Sequence, residues 1–277
     1  MFLVTGCNGQ LGNELRARLG DKAEYLDLPL LDITDAAAVK EYVTPEKYKA
    51  VINCAAYTAV DKAEDDKDLS ASVNIDGPAN LAETGVPLIH VSTDYVFDGK
   101  NHLPYKETDL PNPQSVYGVT KLAGEQYALE KAETAIVIRT SWLYSEHGNN
   151  FVKTMLRLGS ERDSLNVVFD QIGTPTYAGD LAQAIVDILP QIKKGTREVY
   201  HFSNEGACSW YDFAVTVMKI AGLACKVSPI ESKDYPTKAA RPAYSVLNKT
   251  KIKKDFNLSI RHWEEALVEC LKKLGVK

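Results

Sequence analysis

"FLVTGCNGQLGNELRARL", residues 2–19, runs from apolar residues through a glycine-punctuated loop into a leucine-spaced segment. The run at 2–5 has the length and composition of a short buried strand. Leu11, Leu15 and Leu19 recur at i, i+4 and i+8 and mark one face of a helix over 9–19. Gly6, Gly9 and Gly12 fall at the junction. Glycine there permits a tight turn and close backbone approach to a pyrophosphate, and the helix start adds free N–H groups and the positive end of its dipole. The spacing is GxxGxxG rather than the commoner GxGxxG, and alone it describes an ordinary strand–helix turn equally well. Its place at the first junction of an alternating chain is what points to a dinucleotide.

That alternation continues. Strands are expected at "AEYLDL", "AVINCAA" (50–56), "VPLIHVS" and "AIVIRTS" (135–141), and helices at 35–43, 71–84 and 115–132. Asp32 or Thr34 is the expected cap of the helix at 35–43. Strands alternating with helices imply an α/β fold, a Rossmann-like doubly wound parallel sheet covered on both faces. Beyond about residue 142 the pattern loosens, with helices expected near 151–160, 178–192, 209–221 and 262–274 and strands near 165–169 and 198–202. The expected division is a dinucleotide-binding domain over 1–142, to which some later segments return, and a smaller mixed substrate domain over 143–277.

Bulk properties narrow the function. The chain has 277 residues, 45% hydrophobic and 25% charged, with a net charge of −5. That acidity disfavours nucleic acid as partner, because phosphate backbones want a basic footprint. Five scattered cysteines without a CxxC pair suggest free thiols in a reducing cytoplasm, neither a disulfide framework nor a zinc site. No apolar stretch approaches the roughly 20 residues that span a bilayer, and a strand beginning at residue 2 leaves no room for a signal peptide. A cytoplasmic protein acting on a small molecule is expected.

Three further features carry chemistry. Asp27 ends the second strand about 20 residues after the glycine loop, where an acid accepts from ribose hydroxyls and repels a 2′-phosphate. This favours NADH over NADPH, although Arg16 and Arg18 on the following helix leave NADPH open. Tyr117 and Lys121, in "YGVTK", share a helix face at i and i+4. A neighbouring ammonium is expected to lower the phenol pKa from about 10, making the pair a proton shuttle for an alcohol near neutral pH. "HVSTDYVFDG" (90–99) ends a core strand in hydroxyls and an acid. Ligands bind beyond the carboxyl ends of strands in open parallel sheets, so Thr93 is placed to hydrogen-bond a substrate oxygen and Asp94 to orient the loop or a sugar hydroxyl.

Loop, hydroxyl, Tyr and Lys in this order resemble the short-chain dehydrogenase/reductase superfamily. More narrowly, the chain resembles the dTDP-4-dehydrorhamnose reductase family of its extended group, nearly end to end. The most specific stretches are "GCNGQLG", "AAYTAVDKAE" (55–64), "STDYVFDG" (92–99), "YGVTKLAGE" (117–125), "RTSWLY" (139–144), "GNNFVKTML" (148–156), "DQIGTPT" (170–176) and "RPAYSVLN" (241–248). The resemblance implies reduction of the C4 keto group of a nucleotide-linked deoxysugar by NADH or NADPH. It implies Thr93, Tyr117 and Lys121 as the catalytic set. Asn8, Gln10 and Leu11 fall at the tip of the pyrophosphate loop, Asp32 and Ile33 at the adenine flank, and Ala55, Ala56, Tyr57 and Thr58 beside the nicotinamide. Trp142 matches the sugar-side wall. Related dehydratases carry an acid where this chain has Tyr95, so carbonyl reduction without water elimination is implied. Asn149, Asn150 and Lys153 are candidate polar contacts for the diphosphate or sugar, and Arg241 suits a diphosphate because a guanidinium binds phosphate bidentately. "DQIGTPT" reads as a turn as easily as a binding loop. Some relatives dimerise through a metal held by acids; Glu14 falls at such a position, but "KKLGVK" at the carboxyl end adds no acid, so no metal is expected. The chain is expected to be a monomer or a homodimer. Two other readings stay open: another nucleotide-sugar 4-keto reductase or epimerase, and a non-catalytic regulatory subunit like that of methionine adenosyltransferase.

Overall fold

The computed structural model describes residues 1–276. Six parallel strands form the main sheet: β1 (Phe2–Thr5), β2 (Ala23–Leu26), β3 (Ala50–Asn53), β4 (Leu88–Thr93), β5 (Ala135–Thr140) and β6 (Arg197–His201). Their spatial order is β2-β1-β3-β4-β5-β6. The middle strands are almost wholly buried and mostly apolar because helices cover both faces. On one face Leu11, Leu15 and Leu19 of the Gln10–Leu19 helix pack with Leu181, Ile185 and Ile188 of the Ala178–Ile188 helix. On the other, Val39, Leu81 and Ala128 come from three further helices. Each fully buried Leu or Ile adds roughly 1.5–3 kcal/mol. The chain therefore forms the doubly wound α/β sheet that its alternating pattern implies, with the order reversing between β1 and β3, where such sheets open a ligand crevice.

A second apolar core lies after β5. It joins Val152 and Met155 of Phe151–Glu161, Phe213 and Val217 of Trp210–Ala221, and Leu267 of Trp263–Lys273. A small parallel pair, Ser164–Val168 with Lys226–Ile230, flanks it.

Several local expectations are corrected. Asp35 itself caps the Ala36–Tyr42 helix, its Oδ1 accepting from the Ala37 and Ala38 N–H groups, both at 3.0 Å. Asp32 instead holds the preceding turn through the N–H and hydroxyl of Thr34. Helices at Val60–Ala63, Lys67–Ala71 and Thr250–Phe256 were not foreseen; all are short and mostly polar, with weak periodicity. The strand Lys226–Ile230 was hidden by Pro229, which an edge position tolerates.

Candidate functional site

A cleft of about 790 Å³ lies across the carboxyl ends of the strands. Its floor begins at the glycine loop. Gly6 has φ +65°, and a Cβ there would lie 2.4 Å from the Ala55 nitrogen; at Gly12 it would lie 2.5 Å from the Cys7 Cα. Both positions thus require glycine, one to admit the chain after β3 and one to seat the helix on the strand. Gly9, Gln10 and Leu11 complete this wall. Asp27 lies on the lining, where its two carboxylate oxygens accept the N–H groups of Asn8 at 3.1 Å and Leu28 at 2.9 Å. It therefore braces the loop as well as facing the cleft. Asp32, Ile33, Ala55, Ala56, Tyr57 and Thr58 also line it. Tyr57 is fixed from behind by the Asn74 carboxamide, which bonds both its N–H and its carbonyl. Asn74 lies in a π-helical turn, Ser72–Asp76, a distortion common at functional sites.

The far end of the cleft brings together Thr93, Asp94, Tyr95, Tyr117, Lys121 and Trp142. Ser115 caps the helix that carries Tyr117 and Lys121, accepting from the Gly118 N–H at 3.1 Å. A Cβ on Gly118 would lie 2.3 Å from the Tyr95 carbonyl, so the helix start approaches the β4 terminus closely. The Thr93 hydroxyl donates to Asp94 at 3.0 Å and accepts from the Tyr95 N–H at 3.2 Å. Lys121 is 1% exposed and donates to the Val91 carbonyl at 2.8 Å. Burial pushes its ammonium down to about 8, against the opposing pull of Glu125 and Cys54. Asp94 is pushed up to about 6 by burial, opposed by the nearby hydroxyls of Ser245 and Thr93.

Tyr117 departs from expectation. Burial raises its phenol, and the main opposing effect is a hydrogen bond with Thr93, not the charge of Lys121. The cause is geometric: the lysine nitrogen is engaged by the Val91 carbonyl and lies 3.3 Å from Nε2 of His90.

Trp142 adopts φ +48°, a conformation that bulky residues rarely take. Its ring stacks on Trp210 at 3.6 Å with an interplanar angle of 9°. "DQIGTPT" serves this packing, since a Cβ on Gly173 would lie 2.6 Å from the Trp142 ring.

Four expected site residues lie off the lining. Asn8 is exposed and does not line the cleft. Asn150 is spent on architecture: its Oδ1 caps the following helix through the Lys153 N–H, and its Nδ2 donates to Gln10 at 2.9 Å and to the Ser145 carbonyl at 2.7 Å. Lys153 reaches the Glu146 carbonyl at 3.3 Å. Arg241 borders a small adjoining cavity with Tyr95, donating to the Tyr95 hydroxyl at 2.8 Å and pairing with Asp61 at 2.5 Å. Its guanidinium is half committed within the protein. Conversely, Leu31, Ser92, Ser141 and Leu143 line the cleft without having been singled out for it, and Asn149, a candidate polar contact, lines it too. Ser141 and Leu143 sit inside the quoted "RTSWLY", which was the signal available for them.

The chemistry of the cleft suits a dinucleotide and a carbonyl substrate. Side chains at Gly6 or Gly12 would fill the cradle. Ser92 Oγ and Asp94 Oδ2 are buried and without a hydrogen-bond partner among the described residues, at the end where a polar substrate would lie. Outside the cleft, Glu14, Glu146 and His147 bring ligand atoms within 4.8 Å of one another, a grouping able to hold a cation. Glu146, adjacent in space but distant in sequence, supplies the second acid, which the carboxyl end lacks. Arg18 and Lys273 already neutralise the two carboxylates, at 2.6 and 3.1 Å.

Comparison with known proteins agrees with this architecture. A dTDP-4-dehydrorhamnose reductase of Aggregatibacter actinomycetemcomitans is 44% identical over 283 residues, covering 96% of each chain. The crystal structure of a dTDP-4-dehydrorhamnose reductase from Clostridium acetobutylicum superposes with a TM-score of 0.94 at 42% identity, covering 99% of each chain. That of a dTDP-4-dehydrorhamnose reductase from Bacillus anthracis, in complex with NADP, gives 0.93 at 39% identity and 98% coverage of each. The family described as RmlD substrate binding domain matches residues 1–276, and the chain belongs to it.

Proposed function

We propose that this chain reduces the C4 keto group of dTDP-4-dehydro-L-rhamnose to the alcohol of dTDP-L-rhamnose, using NADH or NADPH. The observation that carries this is the meeting of Thr93, Tyr117 and Lys121 in the same cleft as the glycine loop. A bound reduced nicotinamide supplies the hydride. Tyr117 gives its phenolic proton to the oxygen at C4, so that the ketone gains one hydride and one proton. Its pKa, raised by burial, keeps the phenol protonated until charge develops on that oxygen. Thr93 orients the oxygen, and much of the rate comes from holding the reacting groups in line. The raised Asp94 carboxyl, with one free oxygen, is available to a sugar hydroxyl. The flat, stacked Trp142 offers an apolar wall to the deoxysugar. Arg241 steadies Tyr95 and pairs with Asp61, and Lys238 pairs with Asp65, so that together they close the 238–241 segment over the two acids.

Asp27 favours NADH, since its carboxylate repels a 2′-phosphate. Residues 1–142 serve the cofactor, with Ala178–Ile188 and β6 returning to that unit, and the remainder serves the sugar nucleotide. A cytoplasmic monomer or homodimer suits the free thiols. None of the described helices is long and apolar enough to cross a membrane. The test is product analysis: NMR of the sugar nucleotide after incubation with reduced cofactor is expected to show a C4 hydroxyl of L-rhamno configuration. Unreacted ketone, or the epimeric alcohol, refutes the proposal.

A further inference from the structure

Behind Lys121 lies a run of buried side chains that the reaction scheme leaves unused. Asn53, at the end of β3, is wholly buried, and its Oδ1 accepts from the Thr5 hydroxyl at 2.8 Å and the Ala55 N–H at 3.1 Å. A backbone N–H only donates, so the carboxamide has one orientation, with Nδ2 turned toward β4. There Nδ2 lies 3.1 Å from Nδ1 of His90, also wholly buried. An amide NH2 only donates, so Nδ1 is the unprotonated acceptor. Burial and the charge of Lys121 hold the imidazole neutral, which leaves its single proton on Nε2. Nε2 is 3.3 Å from the Lys121 nitrogen.

The two states of Lys121 meet this N–H differently. The ammonium has no lone pair, so donor faces donor. The amine has one and accepts. The Val91 carbonyl accepts a hydrogen bond from either state. A hydrogen bond to the neutral form favours that form. Other groups facing Lys121 do not supply it: Glu125, on the same helix, favours the ammonium but is tied by hydrogen bonds to Arg139 of β5, and Cys54, after β3, is a neutral thiol. Tyr117, one turn back, is a neutral phenol.

We propose that His90 is a positioning residue: fixed by Asn53 as the Nε2–H tautomer, it donates to the amine form of Lys121, favours that form over the ammonium, and so eases loss of the lysine's proton during turnover. The role in turnover rests on the reductase reading; the tautomer does not.

The test is a two-bond ¹H–¹⁵N spectrum of the full, ligand-free chain, with His90 distinguished from the other histidines by through-bond assignment. The expected result is a pyrrole-type Nε2 and a pyridine-type Nδ1. A proton on Nδ1, or on both nitrogens, overturns the inference. In His90→Gln, whose carbonyl can turn to accept from the ammonium, the NMR titration midpoint of Lys121 should rise by about one pH unit, and the basic limb of the kcat/KM profile should follow. An unchanged midpoint overturns the inference. Should that variant not fold, Asn53→Asp replaces the donor facing Nδ1 with an acceptor and should move the imidazole proton to Nδ1; an unmoved proton is equally fatal. Absence of turnover in the unmodified chain strikes the reductase reading and leaves the tautomer result standing.

Discussion

Glu125→Gln tests how the catalytic helix is held. Glu125 and Arg139 are both buried, with side chains 2% and 4% exposed. Arg139 Nε donates to both carboxylate oxygens at 3.0 Å, and its Nη2 donates at 2.7 Å. Gln keeps the shape and part of this hydrogen bonding but removes the negative charge, leaving an unpaired buried guanidinium. Breaking one side of such a pair costs about 3–5 kcal/mol. At about 2.1 cal/mol/K per residue of unfolding entropy, a chain of this length loses roughly 5–9 °C in Tm. Differential scanning calorimetry at neutral pH measures it. The double variant Glu125→Met with Arg139→Met removes both charges and should recover most of the loss, because apolar replacement of a whole buried pair is often neutral. A Tm for Glu125→Gln within about 1 °C of the parent, where a full pair predicts several degrees, or a double variant no better than the single, refutes the reasoning.

Lys121→Met should abolish turnover yet stabilise the fold. The lysine falls from 10.5 to about 8 on folding, so the unfolded chain binds more protons between these values and stability rises with pH across that window. The variant should lack this rise in denaturant titrations and gain up to about 3 kcal/mol at pH 7; an unchanged slope contradicts it. Gly12→Ala should cost about 1–3 kcal/mol and most cofactor affinity, because the added carbon meets backbone that cannot yield; fluorescence titration with undiminished affinity rejects that. Asp27→Ala should weaken NADH more than NADPH in paired steady-state measurements, and equal losses remove Asp27 from cofactor choice.

Much of the fold was legible because its signals are local. Buried parallel strands are short apolar runs, and the leucines of residues 9–19 repeat at a helical period. The glycine loop and the Tyr117–Lys121 pair lay within single elements, and their shared cleft followed from the position of strand ends. What stayed hidden is long-range. Asn150 looked available as a polar contact, but its carboxamide is consumed by Gln10, 140 residues away. Arg241 looked free for phosphate, yet Asp61 and Tyr95 hold it. The direction in which Lys121 points was beyond any spacing rule: i, i+4 places it near Tyr117, but β4 supplies the carbonyl and imidazole that turn it away.

The central claim is that Tyr117 delivers the proton in this cleft. Its most direct test is oxidation of NADH or NADPH by the parent and by Tyr117→Phe, with dTDP-4-dehydro-L-rhamnose saturating. The account predicts turnover by the parent, a loss of about 10²–10⁴ in kcat for the variant, and unchanged cofactor affinity. Equal turnover by the two proteins contradicts it.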